Sequence, residues 1–589
     1  MSTTSRRGRA AFSAAALWAV VFQTAVFSEA VFWEAVYWET SAKAGDVPAV
    51  SLRDELDAAA LTALIDRELA ARWEAEGIDP APPADDAEFL RRVSLDIVGK
   101  IPRVSDVRAF LDDHGPDKRR RLVEQLLESG THAAHFANAW RELLLPGANN
   151  NLETRGLAPP FEAWLKIRFS TDTPYDRWVT ELLTSAAAAQ ADGNPLATRA
   201  SVPSPSAFYQ FNERKPESLA ANTSRVFLGT QVQCAQCHDH PFARWKQQQF
   251  WAMAAFFGAA APVDNAAQNE AVEVEEGRTT EAPAASPAPA SPATDTPATG
   301  TPATGPAAGL SIKIPETDTI VEAKFLDGSS PTWRPGDDPR LELTRWIVSR
   351  DNPYFARAAV NRIWEHFFGR GLVDPVDDMD EKNPPSHPEL FAELARQFVY
   401  HGYDSKYLIR AITSSRAYQL TSRTDSGGSD DPQNFARMPL RRMTPEQLYD
   451  SLAEATGHRD TAPRQQGAVF GVETGRAAFQ AKFADASARR SEAQTSILQA
   501  LSLMNGTFVA DATSLERSET LAAIVELEFL DTPARIEALF MASLNRPCEP
   551  GEAERFATYV DAAGPDGKNA ALADVFWALL NSAEFIMNH

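Results

Sequence analysis

Residues 352–369 read NPYFARAAVNRIWEHFFG, and this stretch decides the fold class. Its apolar side chains recur at helical spacing and form one stripe made of Val360, Ile363, Trp364, Phe367 and Phe368. Asn352 is a preferred N-cap, Pro353 suits the first helical position, and Gly369 ends the pattern. The stretch therefore predicts an amphipathic helix whose aromatic residues lie in a core.

The same periodicity appears in the first half of the chain. Ser105 is a candidate N-cap for a helix through Val107 and Phe110, and Pro116 begins a second one through Leu122 and Leu127. Alternating strand patterns are short, and we expect only hairpins around residues 310–325. The chain is predicted to be mainly α-helical.

A change in composition divides the chain. Residues 262–309 consist mostly of Ala, Pro, Thr, Ser and Glu and contain no aromatic residue. Such a segment cannot bury enough apolar surface to order itself. We predict two helical domains, residues 50–258 and 311–589, each with its own core, joined by a disordered Ala/Pro/Thr-rich linker at 259–310.

The first domain ends near a short motif, Cys234-Ala-Gln-Cys237-His238. Cys-x-x-Cys-His is the spacing at which two thiols attach haem covalently while the imidazole binds the iron. If residues 234–238 are helical, the two thiols and His238 share one face. The motif predicts a c-type haem bound by Cys234, Cys237 and His238.

Two other interpretations use the same residues. With a turn before Pro241, Cys234, Cys237, His238 and His240 would surround one tetrahedral zinc ion. Alternatively, the two thiols form a disulfide or remain a reduced pair. For a haem, Met253 is a candidate second axial ligand, with core packing as its other interpretation. The histidine candidates are His132 and His135, which also suit a half-buried helix face.

The N-terminus predicts export. Arg6, Arg7 and Arg9 precede an apolar stretch, as in a signal peptide, and we assign residues 1–44 to a signal peptide or an uncleaved signal anchor. The formal net charge of −23 repels phosphates and anionic lipid, so nucleic-acid binding is excluded. Contact with a membrane is expected only through an uncleaved N-terminal segment.

Several motifs together resemble a known family. Residues 89–102 (FLRRVSLDIVGKIP) and 233–242 (QCAQCHDHPF) resemble the planctomycete cytochrome-like secreted domain of unknown function. Residues 355–364 (FARAAVNRIW), 383–390 (NPPSHPEL), 414–420 (SSRAYQL) and 442–447 (RMTPEQ) resemble the C-terminal domain that accompanies it. The resemblance implies this architecture, export and a haem motif, and it implies no particular reaction.

The predicted function is electron transfer in the periplasm or cell envelope, with haem c as cofactor and a redox protein as partner. The alternative is a binding or scaffold protein of the envelope in which the same residues form a structural zinc site or a disulfide. The sequence assigns no residue pair a catalytic role, and it leaves enzymatic activity open.

Overall fold

The computed structural model describes residues 55–151, 153–185, 202–240, 243–260, 310–334, 337–424, 427–429, 431–459, 475–483 and 497–589. The predicted signal segment and residues 261–309 of the predicted linker lie outside this range. Residues 56–379 and 385–589 form one compact unit, and the described part of a second unit consists of Glu55 and Asp380–Pro384.

In the described part of the region before residue 261, the regular elements are helices joined by turns and loops. Its α-helices are α1 (Ala58–Glu76), α2 (Asp86–Val98), α3 (Val104–Asp112), α4 (Lys118–Glu128), α5 (Gly130–Leu144), α6 (Ala158–Ser170), α7 (Tyr175–Thr184), α8 (Ala207–Phe211), α9 (Pro216–Phe227) and α10 (Gln247–Ala254). Short 3-10 turns lie at Ala148–Asn150, Arg155–Leu157, Gln233–Gln236 and Ala255–Ala260.

The region after residue 309 opens with an antiparallel hairpin of β1 (Ser311–Lys313) and β2 (Ile320–Glu322), which confirms the predicted hairpin. Its helices are α11 (Pro339–Ile347), α12 (Phe355–Phe368), α13 (Pro388–Tyr400), α14 (Ser405–Ser414), α15 (Pro445–Thr456), α16 (Gly475–Phe483), α17 (Ile497–Asn505), α18 (Thr507–Ala512), α19 (Glu519–Glu526), α20 (Thr532–Ser543), α21 (Pro550–Ala562), α22 (Gly564–Leu580) and α23 (Ala583–Ile586). A 3-10 turn lies at Pro432–Asn434, and β3 (Arg441–Arg442) pairs antiparallel with β4 (Met587–Asn588). The mainly helical fold is confirmed.

Helix α12 forms where the apolar stripe predicts it, but its predicted start is wrong: the N-cap is Tyr354 and the helix begins at Phe355, so Asn352 and Pro353 precede it. From this position before the helix, the Asn352 side-chain oxygen still accepts hydrogen bonds from the amides of the N-cap Tyr354 and the first helical residue Phe355, at 2.9 and 3.0 Å. Gly369 ends the helix with φ of 69°, in the left-handed region that glycine adopts without strain. The whole predicted stripe is buried.

The predicted start of α3 is wrong. The helix begins at Val104 after Arg103, and Ser105 lies inside it rather than at the cap. Its hydroxyl bonds the neighbouring Asp106 carboxylate instead of a free backbone amide, so the cap preference of serine is not used here. The core positions Val107 and Phe110 are buried as predicted.

The hydrophobic core does not divide at the linker. One cluster joins side chains from both regions, such as Leu61 and Trp178 with Trp364 and Phe398. A second cluster is built from residues 443–585 and takes in Leu95 and Ile101 from the first region. The two regions therefore share their cores, although their sequences are separated by the linker.

Charged residues of α2 are buried where these regions meet. Arg91 donates to the Asn545 side-chain oxygen and the Phe585 carbonyl, both at 2.7 Å. Arg92 donates to the Tyr418 carbonyl at 2.7 Å and to Glu88 at 2.6 Å. Burial lowers the pKa of Arg91 to about 10, which leaves it charged at neutral pH.

Asp96 lies at the centre of this joint and is fully buried. Its carboxylate accepts from Arg441 at 2.7 Å and from the Tyr418 hydroxyl and the Asn588 amide at 2.8 Å each. A buried carboxylate is tolerated only when it is paired and hydrogen-bonded in this way. Asp96 thus connects α2 to the segment that follows α14, through Tyr418, and to strands β3 and β4.

Candidate functional site

The Cys-x-x-Cys-His segment lies on the surface between α9 and α10. Gln233–Gln236 forms a 3-10 turn, and Cys237 and His238 follow it in a turn rather than continuing a helix. The thiols of Cys234 and Cys237 are free and exposed, and His238 is also exposed. Only Ala235 of this segment is fully buried, so it anchors the turn while the three functional side chains face solvent.

Helix α10 holds the backbone of this segment. The Gln247 side-chain amide donates to the Cys237 carbonyl at 2.8 Å and to the Gln236 carbonyl at 3.2 Å. The Trp251 indole N–H donates to the same Gln236 carbonyl at 2.9 Å. These carbonyls would otherwise be unpaired at the end of a 3-10 turn, and their bonds to α10 fix the turn.

His238 has a defined tautomer. Its Nδ1 lies 2.8 Å from the carbonyl oxygen of Asp239. A carbonyl can only accept a hydrogen bond, so Nδ1 carries the proton of the neutral ring. The lone pair then lies on Nε2, which is the arrangement of a histidine ready to bind a metal.

His240 has the opposite tautomer. The Ala243 backbone N–H donates to His240 Nδ1 at 2.8 Å. A backbone amide can only donate, so the Nδ1 lone pair is used and the proton of the neutral ring lies on Nε2. Neither nitrogen of His240 offers a lone pair for a metal while this bond is kept.

Met253 does not lie on the face of α10 that bonds the motif. Gln247 and Trp251 lie four residues apart on the face of α10 that contacts the motif. Met253 lies two residues beyond Trp251, roughly 200° around the helix, and it is buried in the shared core. Its position fits the packing interpretation better than that of an axial ligand.

The zinc interpretation gains no geometric support. Across the described part of the chain, no three His, Cys, Asp or Glu side chains are grouped as a metal site requires. Zinc binding by the motif with His240 therefore stays a prediction.

The two other histidines that the sequence offered as iron ligands, His132 and His135, pack against Phe136 in α5. The ring centroid of His135 also lies 5.5 Å from that of His366.

Asp239 is a site residue that the sequence did not single out. Its carboxylate accepts from the Gln247 backbone N–H and from the Lys246 ammonium, each at 3.0 Å. These two interactions hold the pKa of the Asp239 carboxyl below its ordinary value. Asp239, Gln247 and Trp251 were missed because their roles depend on hydrogen bonds to the backbone of the turn, which residue type and spacing do not reveal.

The second region contacts the motif segment on both sides. Before the motif, the Gln231 side-chain amide donates to Asp377 at 2.7 Å. After it, Arg244 donates to the Tyr354 hydroxyl at 2.9 Å. These partners lie more than 100 positions apart in sequence, so no local pattern could have predicted them.

None of the helices in the described residues combines the length and apolarity needed to cross a bilayer. This finding does not bear on residues 1–54, where the predicted export signal lies.

Comparison with protein families identifies two segments. Residues 64–261 match the family model PSCyt2, a protein of unknown function (DUF1549). Residues 339–474 match the family model PSD1, a protein of unknown function (DUF1553). No curated protein and no solved structure matches the chain. Two segments of the chain thus match models of domains of unknown function, PSCyt2 before PSD1, in the order that the sequence motifs predicted.

Proposed function

We propose that Cys234 and Cys237 attach a c-type haem covalently, that His238 is its iron ligand, and that the protein transfers electrons after export. The observation that carries this proposal is the bond between His238 Nδ1 and the Asp239 carbonyl. Because this bond uses Nδ1, the lone pair on Nε2, at the other side of the exposed His238 ring, is left for the iron. The N-terminal Arg residues and apolar stretch support the export part of the proposal.

The residues present fit such a group in their chemistry. Cys234 and Cys237 are free and exposed, so their thiols are accessible for thioether formation. Gln247 and Trp251 bond the motif's carbonyls and therefore hold the backbone between the two attachment points. A bound haem supplies one-electron redox chemistry, and the chain supplies the anchors, the ligand and their orientation.

The zinc alternative makes a different demand on His240. A four-ligand zinc site needs a lone pair from this ring, which requires breaking the 2.8 Å bond between Ala243 N–H and Nδ1 or removing the Nε2 proton. The haem proposal needs nothing from His240. Replacement of this residue therefore separates the two interpretations.

The test is expression together with a cytochrome c maturation system, followed by haem staining of a denaturing gel and a pyridine haemochrome spectrum. Wild type and His240→Ala are expected to retain covalent haem equally, because His240 takes no part in attachment. The double variant Cys234→Ala/Cys237→Ala is expected to lose the stained band, since both thioether sites are removed. His238→Ala is expected to change the absorption spectrum through loss of the iron ligand.

A colourless wild-type band from maturation-competent cells, with a mass showing two unmodified thiols, would reject the haem proposal. Zinc in wild-type protein, and less of it in His240→Ala, would instead favour the scaffold alternative.

A further inference from the structure

We propose that Asp239 and Gln247 are positioning residues that set the tautomer of His238 before any ligand binds. This inference rests on the proposed role of His238 as a ligand, and it concerns how the polypeptide prepares that role. Neither residue touches the ligand in this proposal. Asp239 supplies the carbonyl that the His238 ring bonds, and Gln247 holds the turn on the other side of His238 through the Gln236 and Cys237 carbonyls.

The peptide unit between Asp239 and His240 is fixed at both ends. Its carbonyl oxygen accepts from His238 Nδ1 at 2.8 Å. Its N–H, which belongs to His240, donates to the Trp245 carbonyl at 2.8 Å. A peptide unit is planar, so bonds at its two ends together define the direction of its carbonyl.

The Asp239 side chain adds a third point of attachment. Its carboxylate accepts from the Gln247 backbone N–H, the first residue of α10. The Gln247 side chain reaches back to the Gln236 and Cys237 carbonyls on the other side of His238. The turn that carries His238 is therefore held to the start of α10 both before and after this residue.

This arrangement matters because the turn is exposed. Asp239 and His238 are both solvent-exposed, and an unrestrained surface turn would exchange such bonds with water. Without the attachment to α10, this peptide unit keeps only its bond to the Trp245 carbonyl, so the Asp239 carbonyl has more freedom to turn away from the His238 ring, which then loses the acceptor that keeps the proton on Nδ1. The Nε2 lone pair would then be present in only part of the molecules.

The test measures the tautomer of His238 in haem-free protein by nitrogen NMR of selectively labelled histidine, with the signal assigned through His238→Gln. Wild type is expected to show the proton on Nδ1 of His238, and on Nε2 of His240 as an internal reference. In Asp239→Ala and in Gln247→Ala the ratio of the two His238 tautomers is expected to fall roughly fivefold, the size of one lost hydrogen bond.

Two variants provide matched controls. Asp239→Asn keeps an acceptor for the Gln247 N–H and is expected to retain the wild-type tautomer, although it loses the charge that pairs with Lys246. Gln248→Ala truncates the exposed neighbour of Gln247 and is expected to change nothing. Thermal unfolding of each variant checks that the fold is kept.

The outcomes separate the two proposals. A wild-type tautomer in both Asp239→Ala and Gln247→Ala overturns the positioning role, whether or not haem attaches to the wild type. A changed tautomer in these variants, together with a wild type that never attaches haem, supports the positioning role and rejects the haem proposal. In haem-loaded protein, a positioning role also predicts a higher midpoint potential for Asp239→Ala, because the ligand loses a hydrogen bond that raises its basicity.

Discussion

Helix α2 and the Cys-x-x-Cys-His segment are both rich in polar side chains, but they use them in opposite ways. Arg91, Arg92 and Asp96 of α2 are completely or almost completely buried. Apart from Glu88, which pairs with Arg92 within the helix, their bonding partners, such as Tyr418 and Asn588, lie more than 300 positions away in sequence. The polar side chains of the motif are exposed, and the residues that hold its backbone lie within 15 positions.

This difference indicates what each region does. Buried charges are expensive to leave unpaired, so the α2 joint makes the regions before and after the linker depend on each other. In the motif, by contrast, the contacts described with the second region come from the flanking residues Gln231 and Arg244. Its local attachment to α10 instead presents Cys234, Cys237 and His238 to solvent, where a ligand or a partner can reach them.

The largest effect is expected from breaking the α2 joint. Asp96→Ala removes the acceptor shared by Arg441, Tyr418 and Asn588 and leaves the Arg441 charge buried without its carboxylate. Loss of one partner from a buried ion pair typically costs about 3–5 kcal/mol. Urea unfolding followed by circular dichroism measures this loss of stability.

Asp112→Ala is the matched control, because Asp112 is an exposed aspartate at the end of α3. Its replacement is expected to change stability by less than about 0.5 kcal/mol. If Asp96→Ala lost no more stability than this control, the dependence of the two regions on the α2 joint would be wrong.

A smaller effect is expected from pH. His132 Nδ1 donates to the Ile97 carbonyl of α2 at 3.1 Å, and burial lowers the pKa of this histidine to about 4. Between its unfolded value of about 6.5 and this folded value, the unfolded chain binds more protons. The stability that depends on neutral His132 is therefore complete above pH 6.5 and is lost as the pH falls towards 4. From pH 7 to pH 5 the loss is about 2 kcal/mol.

His132→Asn keeps a donor for the Ile97 carbonyl but has no group that titrates in this range. Its stability is expected to fall by about 2 kcal/mol less than that of wild type between pH 7 and pH 5, as measured by urea midpoints at both pH values. The exposed His114 provides the control, and His114→Asn is expected to follow wild type. Identical pH dependence of His132→Asn and wild type would show that His132 is not buried neutral.

Local sequence patterns predicted only part of this arrangement. The stripe from Val360 to Phe368 predicted α12 and its end at Gly369 because the apolar period and the stop signal lie close together in sequence, whereas the predicted N-cap at Asn352 was wrong by two residues. The buried charges of α2 were not predicted, because Arg91 and Asp96 acquire their partners only when distant segments fold together. At the site, the motif identified Cys234, Cys237 and His238, but the tautomers of His238 and His240 depend on backbone bonds that spacing does not reveal.

The smallest effect is expected at the motif itself. The double variant Cys234→Ser/Cys237→Ser, studied without haem, is expected to unfold within about 0.5 kcal/mol of wild type, because both side chains are exposed and form no disulfide. Ala235→Ser is the matched variant, because it introduces a hydroxyl in the same turn but at a fully buried position. Burying that hydroxyl without a partner is expected to cost about 1–3 kcal/mol in the same urea titration. If the double variant lost more stability than Ala235→Ser, the two thiols would be needed to stabilise the fold, as in the zinc or disulfide alternative. The contrast between a structural joint at α2 and a ligand-presenting segment at the motif would then be wrong.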